Sequence, residues 1–357
     1  MPRKKKVVYL FGSGATHAVI NSLDASKRLL TSDIREKIRE KEPAIKDKEI
    51  PVDIWNELMD VEVDIEHLIS ILETNYHYSS ATSIRRYYHD AINSLTKEFI
   101  KGIDEPLHTP NLYSILFDFH SLKTINEKVI SVFTLNYEDL FEKTVSSHLK
   151  RNVNYYIDKK REKKENAIPV LKLHGSFNWK NTRPVTIGNS RNVKSEHALW
   201  IPPGVDKKKE NYPFNILWGK AFEFLMECDT LRVIGCSLSR NDWGLIPMIY
   251  TAMRMSGGNP SFDIEIIDFY DKGLKIKEDY SYLSIKTIID ITEFKGYLKD
   301  VYTLPSSDIP DYVKENISSD ASKKINIFEW WLKAKRFDMT SSGENISTRK
   351  KYFENFS

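Results

Sequence analysis

Hydrophobic positions along this chain follow two rhythms, and their alternation predicts the architecture. Val7-Val8-Tyr9-Leu10-Phe11 is an unbroken β-branched and aromatic run, as expected of a strand buried on both faces in a parallel sheet. Runs of the same kind recur at Val129 to Thr134, Val170 to Leu173, Thr230 to Ile234 and Asp263 to Asp268, with Ile285 to Ile289 as a candidate last strand. Between them the apolar spacing becomes helical. Ala15 to Leu23 can begin a first helix, Glu138 to Leu149 carries acids at its start and bases towards its end as the macrodipole favours, and Phe214 to Cys228 and Leu245 to Met255 follow.

The interval from 24 to 128 is longer than a simple crossover and reads as a helical insertion. Ile65, Leu68, Ile69 and Leu72 recur at i, i+3, i+4 and i+7, one face of an amphipathic helix. Further amphipathic runs cover Ser83 to Ile100 and Leu112 to Leu122. Residues 151–213 hold a charge run, several prolines and little periodicity, which predicts a small irregular lobe over the sheet edge, with Trp179 to Asp206 as loop and short strand. The main domain is expected over 1–303. A C-terminal extension, 304–357, contains an aromatic amphipathic segment from Ile325 to Phe337 with Trp330 and Trp331. Strands alternating with helices predict a doubly wound, mostly parallel α/β sheet of Rossmann-like type.

Each predicted strand ends in a residue suited to chemistry or to a tight turn: Gly12, Asn136, His174, Gly235 and Asp268. In open α/β sheets ligands sit at that carboxyl edge. Gly12-Ser13-Gly14 before a helix start can present backbone N–H groups to a pyrophosphate. The third glycine of the dinucleotide fingerprint is absent, since His17 stands there, and no Gly-Lys-Ser/Thr forms a Walker loop. Asn136 brings an amide that both donates and accepts, and His174 brings an imidazole of the type that titrates near neutrality.

Composition narrows the classes. Of 357 residues, 41% are hydrophobic, enough for a sizeable core, and 53 basic against 50 acidic side chains imply neither nucleic acid nor a membrane surface. Two cysteines cannot build a disulfide framework or a four-thiolate zinc site, so a reducing cytoplasm fits. No metal is expected. The apolar run behind the basic N-terminus is too short for a signal-peptide core.

Taken in order, the Gly12-Ser13-Gly14 turn, Thr134-x-Asn136 with Glu138 two residues on, the His174-Gly175 pair, Gly235-x-Ser237-Leu238 and the strand ending at Asp268 resemble the sirtuin series. The resemblance spans roughly residues 7 to 300. It implies that NAD is the substrate, with Gly12, Ser13, Gly14, Ala15 and Thr16 around the pyrophosphate and Gly235, Ser237 and Leu238 at phosphate and adenosine ribose. Asp268 would take ribose hydroxyls, and Thr134, Tyr137 and Glu138 would line the nicotinamide riboside. Asn136 would order a water or a ribose hydroxyl, and His174 would be the general base. Asp242 is open to two readings, support for the site or a helix cap.

Deacetylating sirtuins carry four zinc cysteines between the histidine-glycine pair and the G-x-S turn, and here that interval holds only Cys228, with Cys236 inside the turn. Zinc-less members with an early helical insertion are similar to NAD-hydrolysing effectors of bacterial antiphage defence. That implies an NAD glycohydrolase, homo-oligomeric, and controlled by a regulatory partner such as a HerA-type ATPase or another defence component. A zinc-free protein deacylase and a non-catalytic NAD or ADP-ribose sensor are the competing expectations.

Overall fold

The computed structural model describes residues 3–16, 127–147, 151–157, 167–188, 197–201, 210–239, 244–255, 262–268 and 270–290, the pairs 303–304 and 325–326, and Tyr113, Leu116, His120, Val193 and Asp242. Most of the expected helical insertion and C-terminal extension lies outside these residues.

The centre is a seven-stranded sheet. Its strands are β1 (Lys5–Phe11), β2 (Glu127–Thr134), β3 (Val153–Asn154), β4 (Ile168–Lys172), β8 (Thr230–Ile234), β9 (Asp263–Asp268) and β10 (Ile285–Asp290). They lie in the order β10-β9-β8-β1-β2-β4-β3, and every pairing is parallel. The chain builds outward from β1 through β2 to β4, then crosses to β8 and builds the other way. That reversal puts a topological switch point between β1 and β8.

Unbroken apolar runs have formed the inner strands because both faces are covered. Val7 to Phe11 are fully buried, and β8 is buried throughout. Tyr9 and Phe11 share one face by the two-residue alternation and meet His120, Tyr113 and Phe141, with the Phe11 and Tyr113 rings 4.9 Å apart. Helix α2 (Phe214–Glu227) packs on β1, β2 and β4, and α3 (Leu245–Met255) packs on α2. Helix α1 (Leu140–Ser147) follows β2, and α4 (Tyr270–Asp279) lies against β9 and β10.

A second, three-stranded antiparallel sheet is made by β5 (Gly175–Lys180), β6 (Thr186–Ile187) and β7 (Ala198–Trp200), in the order β6-β5-β7. The short strands expected between Trp179 and Asp206 are the end of β5, β6 and β7, and β5 begins earlier than that, at Gly175. Gly175, at φ +78°, turns the chain directly from the parallel sheet into β5, where Gly175 to Trp179 are all buried. Ser176, Asn178 and Lys180 do alternate with Phe177 and Trp179, but the run is short and follows a glycine turn directly. Two further elements were not anticipated. Edge strand β3 is only two residues long, and α4 is so charged, with its described buried positions at Gly273 and Ile276, that its periodicity is faint. Boundaries move slightly elsewhere: β2 begins at Glu127, β4 at Ile168, and Glu138 precedes α1 rather than opening it.

Among the described residues no helix is long and apolar enough to cross a membrane.

Candidate active site at the switch-point edge

The register sets the site. Phe11 pairs with Thr134 on one side and Ile234 on the other, Thr134 pairs with Lys172, and Ile234 with Ile267. The residues after this line, Gly12, Asn136, His174, Gly235 and Asp268, therefore emerge along a single carboxyl edge. The ladder continues past the strands, because Leu135 N–H donates to Phe11 O at 3.1 Å and Leu173 N–H to Thr134 O at 3.1 Å. Asn136 and His174 thus stand at matching heights on neighbouring strands.

At the switch point two glycine turns interlock. Gly14 N–H donates to Gly235 O at 2.9 Å and Gly12 N–H to Ile234 O at 3.2 Å. A Cβ on Gly12 would lie 2.5 Å from Gly235 O, and one on Gly235, at φ +57°, would lie 2.3 Å from Ala15 N. Absence of side chains here serves loop-to-loop packing first. With Ala15 N–H bonded to Gly12 O, the N–H groups of Gly12, Gly14 and Ala15 already have protein acceptors, and Ser13 is the exposed tip of the turn. Ser237 is exposed beside it, Leu238 is buried at φ +49° with its carbonyl accepting the Tyr280 hydroxyl, and Asp268 is buried at the end of β9.

Asn136 is held on three sides. Its backbone N–H donates to Thr134 Oγ1 at 3.0 Å, and its side-chain Nδ2 donates to Gly12 O at 2.9 Å and Thr16 Oγ1 at 2.7 Å. Thr16 Oγ1 also lies 3.0 Å from the Tyr113 hydroxyl and 2.5 Å from Glu138 Oε1, while Glu138 Oε2 accepts Leu140 N–H at 2.6 Å. Both Glu138 oxygens therefore have protein donors, one of them the first N–H of α1, and a nicotinamide amide would have to displace one of these. Burial raises the Glu138 carboxyl above the usual range, with Lys172 opposing and Glu142 reinforcing that shift. Burial likewise raises Tyr113.

Beneath this loop lies a charged group the sequence reading did not single out. Lys172 is fully buried, its Nζ donating to Glu138 O and pairing with Glu142 Oε1 at 3.0 Å. The Tyr155 hydroxyl donates to the same Glu142 oxygen at 3.2 Å. A cavity of about 360 Å³ lies on this outer side, lined in part by Glu142, Arg151, Asn154, Tyr155 and Ile187.

His174 is 4% exposed, and Asp242 Oδ1 stands 3.2 Å from its Nε2, at ion-pair range but outside the angles of an aligned hydrogen bond. Asp242 reaches it from the turn before α3, where its carbonyl also accepts Leu245 N–H at 2.8 Å. The carboxylate thus faces the histidine, and its main chain serves the helix start. Aromatic rings complete the surround: Tyr137 lies 6.2 Å from the His174 ring, 5.2 Å from Phe177 and 5.0 Å from Trp200. The Tyr137 carbonyl accepts Ser176 Oγ–H and Phe177 N–H, and Trp218 Nε1–H donates to Leu173 O. Cys228 and Cys236 are buried in the core, and burial pushes the Cys228 thiol up to about 12. Among the described residues no group of three or more His, Cys, Asp or Glu side chains is arranged to hold a metal ion.

Residues 130–267, which run from β2 through the histidine turn to β9, match the family described as SIR2-like domain. That segment is similar to a SIR2-like domain. Solved structures with a similar course include Sir2Tm bound to a propionylated peptide, 14% identical over 84% of this chain and 93% of that one, TM-score 0.42. Sir2 in complex with the inhibitor EX-527, 2'-O-acetyl-ADP-ribose and a deacetylated p53 peptide is 15% identical over 83% and 93%, TM-score 0.40. A Sir2 homolog–NAD complex is 16% identical over 74% and 78%, TM-score 0.38. No curated protein sequence matches the chain. The matched segment of the SIR2-like domain includes Asn136, His174, Gly235 and Asp242, whereas the first glycine turn and Thr16 join the site from outside it.

Proposed function

We propose that this SIR2-like domain hydrolyses NAD to nicotinamide and ADP-ribose. The observation that carries the reading is the pairing of a bound amide, Asn136, with a carboxylate-backed imidazole, His174, at one height on adjacent strands beside the glycine turns of the switch point.

The reaction needs little acid chemistry. As the glycosidic C–N bond breaks, its electron pair goes to a pyridinium nitrogen, and nicotinamide leaves neutral. The ribose carbon gains positive character and is captured by water, whose proton must go to a base. His174 supplies that base, and Asp242 keeps the imidazole oriented as a carboxylate does in other His–Asp pairs. Asn136 holds the attacking water or a ribose hydroxyl, a positioning role in which small displacements are costly. Ser13, Thr16, Gly235, Ser237 and Asp268 lie along the rest of the edge for the pyrophosphate and the adenosine ribose. Tyr137, Phe177 and Trp200 keep the histidine side of the site poor in water. The zinc-less sirtuin resemblance extends this reading to an NAD-depleting effector of antiphage defence, held silent until a trigger or partner acts, and to an oligomer.

Purified protein incubated with NAD should release nicotinamide, and cells expressing it with its neighbouring gene should lose NAD. His174→Ala and Asn136→Ala should each abolish the loss. NAD loss that persists in both variants refutes the assignment. Turnover that appears only with an acyl-lysine peptide marks a deacylase instead, and tight binding without breakdown in cells or in vitro marks a sensor.

A further inference from the structure

We propose that Glu138 is a positioning residue: by taking the hydroxyl proton of Thr16 it makes Thr16 an acceptor for Asn136, and so fixes the Asn136 amide with its oxygen left for a ligand that donates. The inference rests on the NAD reading for the identity of that ligand, a ribose hydroxyl or water.

Proton counting gives the direction of every bond. A carboxylate only accepts, so the hydroxyl 2.5 Å from Glu138 Oε1 must donate to it. Thr16 has one proton, and with it turned towards Glu138 its oxygen faces Asn136 Nδ2 at 2.7 Å and the Tyr113 hydroxyl at 3.0 Å as an acceptor. Both neighbours must then donate. The second Asn136 N–H goes to Gly12 O at 2.9 Å. Both amide hydrogens are thereby assigned, and Oδ1 takes part in neither bond, with the Tyr113 hydroxyl as the further polar group beside the Asn136 side chain. The opposite orientation of the amide would set Oδ1 against the Gly12 carbonyl oxygen, two acceptors face to face.

The clamp joins three elements, because Glu138 also receives the first N–H of α1 and its own carbonyl accepts Lys172 Nζ. Aspartate is too short to span both contacts. The groups facing the Glu138 carboxyl are Thr16, the Leu140 N–H, Lys172 and Glu142, with Tyr113 beyond Thr16. Protonation would turn Glu138 into a donor towards Thr16, release the Thr16 proton and leave Gly12 O as the one firm acceptor holding the Asn136 amide. Glu138→Gln reproduces that state permanently, its oxygen accepting from Leu140 and its amide donating to Thr16.

The test uses full-length protein labelled with ¹⁵N-asparagine, the Asn136 side-chain amide being assigned by its loss in Asn136→Ala. Two strongly bonded amide hydrogens should exchange slowly in the wild type, exchange faster in Glu138→Gln and Thr16→Val, and slow again in Thr16→Ser. NAD turnover should fall about 10²-fold in Glu138→Gln, the loss expected for a displaced positioning group, with KM little changed and without the acid-side decline of the wild type. A Glu138→Gln protein with wild-type amide exchange and pH profile overturns the clamp, and so does Thr16→Val with unchanged exchange. If exchange responds as expected while Asn136→Ala and His174→Ala still turn over NAD, the clamp stands and the hydrolase reading fails. If those two variants are dead and exchange is unmoved, the reverse holds.

Discussion

Two polar clusters are buried against the same sheet, and Tyr113 and His120, close in the chain, supply one residue to each. In mid-sheet, Arg232 donates through Nε to Glu265 at 2.7 Å, through Nη1 to the Tyr9 hydroxyl at 3.0 Å and Glu127 at 3.2 Å, and through Nη2 to Glu127 at 3.3 Å. Tyr9, accepting there, donates to His120 Nε2 at 2.6 Å. Burial raises the Tyr9 hydroxyl, and burial with the nearby Arg232 charge lowers the His120 imidazole, so the histidine is neutral. At the carboxyl edge, Tyr113 meets Thr16, and the chain Glu138–Thr16–Asn136 ends at the Asn136 Oδ1, which takes part in none of these bonds. The first cluster pairs its charges with one another, with His120 Nδ1 3.8 Å from Glu127 Oε2, and serves stability. The second leaves the Asn136 Oδ1 outside its own bonds, which is how a binding site differs from a core network built from similar side chains.

The largest test of this contrast is Arg232→Met. Removing the guanidinium leaves the carboxylates of Glu265 and Glu127 buried without their partner, a change expected to cost about 3–5 kcal/mol, read by urea denaturation. Asn136→Ala should cost far less stability, and an equal loss in both would erase the distinction. Next, His174→Ala should lower NAD turnover by about 10²–10⁴-fold with the thermal midpoint nearly unchanged. A midpoint that drops with activity would make His174 a packing residue.

The clusters should also differ in pH response. His120 has a lower pKa folded than unfolded, so the unfolded chain gains a proton first as pH falls below about 6.5. Stability should then decline by up to about 1.4 kcal/mol per pH unit between roughly pH 6.5 and 5. His120→Gln, which keeps an acceptor for Tyr9, should flatten that slope. The edge cluster has the opposite sign: a raised Glu138 favours folding at low pH, and that contribution is lost as pH rises through its folded pKa. Glu138→Gln should therefore not lower stability at neutral pH even where it lowers turnover. The smallest effect is expected for Tyr113→Phe, which deletes one donor to Thr16 at about 1 kcal/mol, measurable by chemical denaturation.

How much of this was visible beforehand depended on the range of the interaction. Asn136, His174, Gly12 and Gly235 stood out because each ends an apolar run, a signal carried within about eight residues. Their supports did not. Lys172 sits one position from a strand end, where a lysine is normally taken as solvent-facing, and only Glu142 and the Glu138 carbonyl explain its burial. Asp242 read equally well as a cap, and nothing in the local spacing singled out Tyr113 or Trp200. Strand β5 was hidden because its alternation of Ser176, Asn178 and Lys180 with Phe177 and Trp179 is short and starts directly behind a glycine turn.

Sequence alone determined the parallel sheet, the order of its strands' polar endings and the resemblance to the sirtuin series, since runs of apolar residues and turn glycines are local consequences of backbone geometry. Only the folded chain decided which hydroxyl receives a proton from which neighbour, that Glu138 faces Thr16 and α1, and that Asp242 backs His174. Those are matters of ångström-scale proximity between residues up to about 120 positions apart, and hydrogen bonds fall off too steeply with distance and angle for spacing along a chain to foretell them.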